Sequence, residues 1–365
     1  MSLPLFRKNW REKVTSKPLT SRQKERRIII SLVFLLIALF ATFTVPLPYY
    51  IESPGGAEDV RHVLTVDGEE DQAEGSYNFT YITMTPATLA SLVYAWVTPF
   101  TDIYSEAEVT GGASNDDFMR INNFYMQSSQ HMAEYQALTL AGEEITLDYL
   151  GVYVLQVMDQ STFQGILHIA DTVTAVNGKT FQSSTELIDY VSKQELDSTV
   201  EVTFESDGLT RTEKGQIIKL DNGKNGIGIG LTDHTEVSSS HDVDFMTAGI
   251  GGPSAGLMFT LSIYTQLAEP DLRGGRMVAG SGTIEKDGRV GDIGGIDKKV
   301  VSAANSGAEI FFAPDNPIDK EMLKVRPDAK TNYEEALAAA KAIKTDMKIV
   351  PVKTVQDAIN YLKNH

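Results

Sequence analysis

Residues 28–45 read IIISLVFLLIALFATFTV, eighteen positions without a charge. At about 1.5 Å rise per residue such a helix just crosses a ~30 Å hydrocarbon core, and no other feature restricts the fold so strongly. A buried core helix of a soluble protein would keep one polar face, and this run has none. A cleaved signal peptide has a shorter apolar region, roughly 7 to 15 residues, closed by small residues. Here Phe43 is followed by Thr-Val-Pro-Leu-Pro-Tyr-Tyr, with no A-x-A site and with an aromatic pair suited to the interface. Residues 28–48 are therefore read as an uncleaved transmembrane anchor in contact with lipid. Residues 1–27 form a basic arm, holding Arg7, Lys8, Arg11, Lys13, Lys17, Arg22, Lys24, Arg26 and Arg27 against Glu12 and Glu25. The positive-inside tendency keeps this arm in the cytoplasm and sends everything after Tyr50 outside the cell.

Charge reverses beyond the arm. Of 32 Lys+Arg and 49 Asp+Glu, 23 basic and 47 acidic groups follow residue 27, a net charge of −24. So acidic a body repels a phosphate backbone, which argues against nucleic-acid partners and for cationic ones. With 365 residues, 42% of them hydrophobic, the chain is long and apolar enough for two or three domains with real cores. The absence of Cys excludes disulfides and thiolate metal sites, and no metal or cofactor is expected.

Past the anchor, Ser53-Pro54-Gly55-Gly56 reads as a loop, residues 60–66 and 77–84 as strands. Residues 115–142 read as a helix capped by Asn115 or Asp116, with Phe118, Ile121, Tyr125 and Met132 as its core stripe. A compact unit follows over residues 151–218. Strands are expected at 152–157, 170–178 and 199–204, with a short helix at 184–193 capped by Ser183 or Ser184; Asn177-Gly178 marks a tight turn. Asp171, Val173, Val176, Asn177 and Gly178 match the D-x-(I/V)-x-x-(I/V)-N-G signature, and this unit resembles a PDZ domain. The hydrophobic-Gly-hydrophobic stretch Leu150, Gly151, Val152, Tyr153, Val154 resembles the peptide-binding loop and strand of that family. The resemblance implies that an extended peptide adds a strand there. Gly178-Lys179-Thr180 imitates the end of a phosphate loop, but Val173 stands where the first glycine would be, so no nucleotide site is expected.

Gly252-Pro253-Ser254-Ala255-Gly256 opens an apolar helical stretch over residues 257–266. Ser254 would then sit at a helix N-terminus, where free N–H groups can hold an oxyanion. The α/β-hydrolase order needs Asp and then His after the serine, and the only later His is His365. His241 precedes Ser254 in a polar stretch and reads as a loop residue. A lysine can replace histidine if burial leaves its amine neutral. In Gly294-Gly295-Ile296-Asp297-Lys298-Lys299-Val300, a helix starting after Gly295 puts Lys299 on the apolar face with Ile296, Val300 and Ala303. Lys298 is turned about 100° away, toward solvent.

G-P-S-A-G followed by Gly288, Arg289, Val290, Ile293, Gly294, Gly295 and Lys299 resembles the proteolytic domain of the Lon family, in which this serine and this lysine form the dyad. The likeness extends to Ser281, where Lon proteases usually carry a threonine that orients the lysine. Gly251 departs from it, because the family often has an acidic residue two positions before the proline. The helix around Gln127 to Ala133 is similar to an early Lon-domain helix. On that likeness the protease fold is split and the PDZ unit is inserted; a simple series of anchor, spacer, PDZ and protease is the other arrangement. The expected fold class is α+β, with a single N-terminal transmembrane helix, a PDZ domain at 143–220 and a Lon-like protease domain at 221–365. Residues 52–142 supply outer strands and a helix. The whole resembles the membrane-anchored PDZ/Lon-like serine proteases of Gram-positive bacteria, of peptidase S16 type, a group that includes the streptococcal competence-pheromone-processing enzyme. That resemblance implies an ATP-independent serine endopeptidase cleaving secreted or surface peptides, with a basic secreted pheromone as one substrate. The other reading is a surface scaffold that binds peptide tails through its PDZ unit while the Lon-like part is idle.

Overall fold

The computed structural model describes residues 20–365, so residues 1–19 of the basic arm lie outside the described residues. Helix α1, Ser21–Thr44, begins at a capping box in which Thr20 accepts the Gln23 N–H. It ends before Pro46 and Pro48, so residues 45–48 of the expected anchor are not helical. None of its side chains is buried by the rest of the chain, which fits a single-pass membrane anchor.

Strand β1, Tyr49–Asp59, strand β2, Ser76–Pro86, helix α2, Leu89–Val97, and strand β3, Asp102–Ser105, come next. The loop expected at Ser53-Pro54-Gly55-Gly56 is instead part of β1. A bulge between Pro54 and Gly56 accommodates the proline, and the two glycines leave room for the Tyr81 ring. Of the strand expected at 60–66, only Leu64–Val66 is extended; Val60–His62 is a 3-10 turn, capped by the Asp59 carboxylate on the Arg61 N–H. Helix α3, Asn115–Ala141, is capped by Ser114 rather than by Asn115 or Asp116. Its fully buried apolar side chains are Phe124, Met126, Ala133, Ala137 and Leu138, whereas Phe118, Ile121, Tyr125 and Met132 are half-buried. The stripe differs because α3 is covered by two neighbours on different sides, a later helix and a second sheet.

That second sheet is built from β4, Ile145–Val157, β5, Thr172–Val176, β6, Thr199–Ser206, β7, Leu209–Gln216, and β8, Ile229–Ser239, with helix α4, Ser184–Ser192, beside it. All pairings are antiparallel in the order β8-β4-β5-β6-β7. Its core includes Val152, Val173, Leu187, Val202 and Phe204. Asn177 and Gly178 follow β5 with φ of 53° and 72°, the two left-handed residues of a tight hairpin turn.

The chain then adds helix α5, Gly256–Ala268, strand β9, Met277–Gly280, helix α6, Ile296–Asn305, strand β10, Ile310–Pro314, helix α7, Asn332–Ile343, and strand β11, Lys348–Val352. One six-stranded sheet, β11-β10-β9-β2-β1-β3, draws three strands from before the second sheet and three from after it. Strands β2, β9, β10 and β11 run parallel, and β1 runs against them, paired antiparallel with β2 on one side and with β3 on the other. Helices cover both faces, so β10 is buried along its whole length. Ile310 and Phe312 face the cluster around α5, while Phe311 and Ala313 face the cluster around α6 and α7.

Candidate active site

The site lies where α5 and α6, on opposite faces of the six-stranded sheet, meet the end of β9. Ser254 precedes α5. Its loop is held from three directions: Ser129 Oγ of α3 donates to Pro253 O (2.9 Å), the Gly252 N–H donates to Asn122 O (2.9 Å), and the Gly282 N–H donates to Ser254 O (2.9 Å). Gly256 permits this packing, because a Cβ there would stand 2.8 Å from Ser129 Oγ. Gly251, where an acidic residue is common in the Lon family, faces Asn122 so closely that a Cβ would stand 2.9 Å from its Cβ.

Lys299 occupies the first turn of α6, which starts at Gly295 with φ of 64°. A side chain at Gly295 would press on Ile82 and Glu52, at 2.9 and 3.0 Å. Lys299 Nζ donates to Ser254 Oγ at 2.7 Å and to Ser281 Oγ at 3.1 Å. Ser281, which immediately follows β9, also donates to Ser254 O at 3.1 Å. The structure thus brings Ser254, Lys299 and Ser281 together. Lys299 is only 3% exposed and Ser281 is fully buried. Burial disfavours the ammonium and lowers the Lys299 pKa to about 7, against a smaller upward pull from the Glu52 carboxylate. Ser254, half-buried, opens into a cleft of 590 Å³ walled by Tyr81, Met84, Tyr104, Phe118, Met119 and Ile293. Among the described residues, the N–H groups of Ser254 and Ala255 have no protein acceptor.

Lys298 requires a correction. It does not point to solvent: it is 2% exposed, with Nζ 2.5 Å from Asp102 Oδ2, 3.2 Å from Glu52 Oε1 and 3.3 Å from Asp297 Oδ1. Helix α6 is enclosed by β1 and α7, so the direction 100° from its apolar face is also buried. Burial opposes the Lys298 charge, but the Asp102 hydrogen bond and the three carboxylates outweigh it and hold its pKa above the usual lysine range. Glu52, buried and wedged beside the site, is missed by sequence reasoning, since the Ser-Pro-Gly-Gly run after it signals a loop. His241 is bonded to Asp67 (2.8 Å) and does not line the cleft.

The stretch expected to bind peptide, Leu150, Gly151, Val152, Tyr153 and Val154, does not lie at an open sheet edge. Both edges of this part of β4 are already paired. Val152 and Tyr153 lie opposite Val173 and Thr172 on one side, and Gly151 to Val154 lie opposite His234 to Leu231 on the other. The open edge on this side belongs to β8, next to α4, where Asp233 Oδ1 accepts the Ser184 N–H at 2.7 Å. The signal was present in sequence, because Gly226-Ile227-Gly228-Ile229 before β8 repeats the hydrophobic-Gly-hydrophobic pattern.

Two family profiles match the chain: PDZ domain over residues 127–214, and Lon protease (S16) C-terminal proteolytic domain over residues 247–363. The second span contains Ser254, Ser281 and Lys299. Lon protease of Campylobacter concisus is 27% identical over 108 residues, and that of Metamycoplasma arthritidis 28% over 111 residues. Each alignment takes in 30% of this chain and 11% of the relative, so the chain spans about a tenth of the curated relatives it matches. Among solved structures, the PDZ domain of the SdrC-like protein from Listeria monocytogenes is 32% identical, covering 23% of this chain and 90% of that one, at a TM-score of 0.22. Its counterpart from Listeria innocua is 33% identical, covering 23% and 96%, at the same TM-score of 0.22. Behind one apolar N-terminal helix, this chain carries a PDZ domain and a Lon-type S16 proteolytic domain, and the latter supports a serine protease.

Proposed function

We propose that this chain is an ATP-independent, membrane-anchored serine endopeptidase with a Ser254–Lys299 dyad, cleaving secreted or surface peptides outside the cell. The observation that carries the reading is the contact of 2.7 Å between a buried lysine amine, with a pKa of about 7, and Ser254 Oγ at the floor of an open cleft. A neutral amine at that distance is a general base without histidine. Ser254 Oγ attacks the scissile carbonyl carbon as its proton passes to Lys299 Nζ. The N–H groups of Ser254 and Ala255 hold the resulting oxyanion. Collapse breaks the C–N bond, the departing amine takes the proton from Lys299, and an acyl ester remains on Ser254. Water then attacks the ester, Lys299 accepts its proton, and that proton returns to Ser254 as the acid leaves. Ser281 is a positioning residue, fixing the direction of the Lys299 amine.

For the domains, the reading is that one protease fold is split around an inserted PDZ unit. The boundary expected at 220/221 moves to the end of β8, Ser239, because β8 pairs along β4 and completes the PDZ sheet, so residues 52–142 and 240–365 build the protease fold. The six-stranded sheet with strands from both sides of that unit supports this division. The open β8 edge beside α4 is the place where an extended peptide would dock, by backbone pairing. Topology follows from the basic arm, with residues 1–27 cytoplasmic and the two domains outside.

The test uses the full-length protein in detergent with culture-derived peptides and mass spectrometry of the products. Cleavage is expected from the natural chain and from neither Ser254→Ala nor Lys299→Arg, since guanidinium does not deprotonate. An active Lys299→Arg protein would reject the base assignment. Protease added to intact cells should digest the region after Tyr50; its protection would reject the topology.

A further inference from the structure

Helix α2 is apolar on the side that faces away from the protein. Leu92 and Ala95 pack inward with Ile51 and Ala87, while Leu89, Val93, Tyr94, Trp96 and Val97 point out. Trp96 is 85% exposed and Val97 71%. Tyr49, Leu92, Val93, Trp96 and Ile103 line an open apolar hollow of 430 Å³ in the same surface. No charged side chain occurs from residue 76 to residue 101. Large exposed apolar patches mark interaction surfaces, and the position of this one selects its partner. The chain leaving α1 is bonded to Ala87, two residues before α2: the Leu47 N–H donates to Ala87 O, and the Ala87 N–H to Tyr49 O, both at 2.8 Å. Helix α2 also packs against α1. At nine residues it is roughly 14 Å long, too short to cross a bilayer, and it is rich in the aromatic residues that favour the headgroup layer.

We propose that α2 is a second membrane contact, lying in the interface of the same bilayer that α1 crosses with Trp96, Val93 and Val97 in lipid. This rests on the reading of α1 as an anchor. Helix α2 leads directly into β3, which supplies Asp102 to Lys298 and Tyr104 to the cleft wall. A docked α2 therefore holds the cleft against the membrane surface, where it meets substrates emerging from or lying on the bilayer.

The chain has two tryptophans, Trp10 and Trp96, so Trp10→Phe leaves Trp96 as the sole reporter. The full-length Trp10→Phe protein is reconstituted into phosphatidylcholine vesicles with or without lipids brominated near the headgroup. Blue-shifted Trp96 emission, quenched at least twofold by the brominated lipid, is expected. Replacing Leu89, Val93 and Val97 together by Ser should at least halve that quenching. Flotation of the vesicles at alkaline pH measures the anchor separately. Protein that floats with Trp96 red-shifted and unquenched would overturn the α2 contact and leave the anchor intact. Blue-shifted but unquenched emission would mean that protein, such as a second copy, covers the patch, and would overturn the proposal too. Protein that does not float would overturn the anchor and the α2 contact together.

Discussion

Lys298→Met removes the charge of the buried lysine while keeping most of its stem, and the structure makes two effects calculable. Breaking a buried ion pair by deleting one partner costs about 3–5 kcal/mol. The Asp102 and Asp297 side chains are 54% and 35% exposed, so water compensates much of their loss, whereas Glu52 at 12% is left as a buried, unpaired carboxylate. A discounted loss of roughly 2–3 kcal/mol follows, or about 4–12 °C in Tm for a domain of this size. The second effect reaches Lys299. It loses a neighbouring positive charge and gains an uncompensated Glu52, and both changes favour its ammonium form, so its pKa rises above about 7. A rise of about one unit lowers the neutral fraction at pH 7 from about half to about a tenth. The expected result is a fall of about fivefold in kcat/KM at neutral pH, largely recovered toward pH ~9, with the acidic limb displaced upward. Peptide cleavage across the pH range and thermal unfolding by circular dichroism measure both quantities. An unmoved acidic limb with an unchanged Tm would refute the coupling of Lys298 through Glu52 to Lys299.

Other substitutions and conditions give independent checks. The folded pKa of Lys299, about 7, lies below its ordinary 10.5, so the unfolded chain binds the proton more tightly and stability rises with pH between those values. Lys299→Met should therefore be inactive yet more stable at pH 7, by roughly 2–4 kcal/mol after allowing for its lost hydrogen bonds, with the gain vanishing above pH ~10.5; urea unfolding at two pH values reads it, and no gain would contradict the neutral amine. Gly295→Ala forces a left-handed residue against Ile82 and Glu52 and should cost about 2–3 kcal/mol with loss of activity, read as a lower urea midpoint. The −24 charge beyond residue 27 should favour basic peptides, with kcat/KM falling as salt rises, since screening acts over ~8–10 Å at physiological strength; a salt-independent rate would remove the idea. Peptides that bind the PDZ unit should slow amide exchange in β8 and leave residues 150–154 unchanged; protection confined to 150–154 would reverse the assignment.

Sequence patterns locate Ser254, Ser281 and Lys299 because each stands in a short motif whose glycines and apolar neighbours are local. Patterns fail where the deciding partner is distant. The helical phase of residues 296–303 gives no sign that Lys298 meets Asp102, 196 positions earlier, and so assigns it to water. Likewise the PDZ signature identifies the unit, but whether Leu150 to Val154 lie at an edge depends on β8 pairing along the whole of β4. A proline followed by two glycines signals a turn in isolation; inside a sheet, the same residues make the bulge of β1.

Ile145, the first residue of β4, is paired directly with Ser239, the last of β8. Everything between them leaves the host fold and returns to one point, so the host experiences that long excursion as a closed hairpin. Closing a flexible loop grows costlier with length, and a unit that folds first removes most of that entropy. The pairing of β2 with β9, in which Thr80 bonds Gly280 across 200 positions, then becomes a short-range event. The order of assembly expected from this is that the central unit gains amide protection before the six-stranded sheet, with Ser254 meeting Lys299 in the last stage. Pulse-labelled refolding that protects β2 and β9 before β4 and β8 would contradict that order. On the proposed Ser254–Lys299 dyad, a chain built this way would gain proteolytic activity only when the sheet closes, because that closure is what brings the two side chains together.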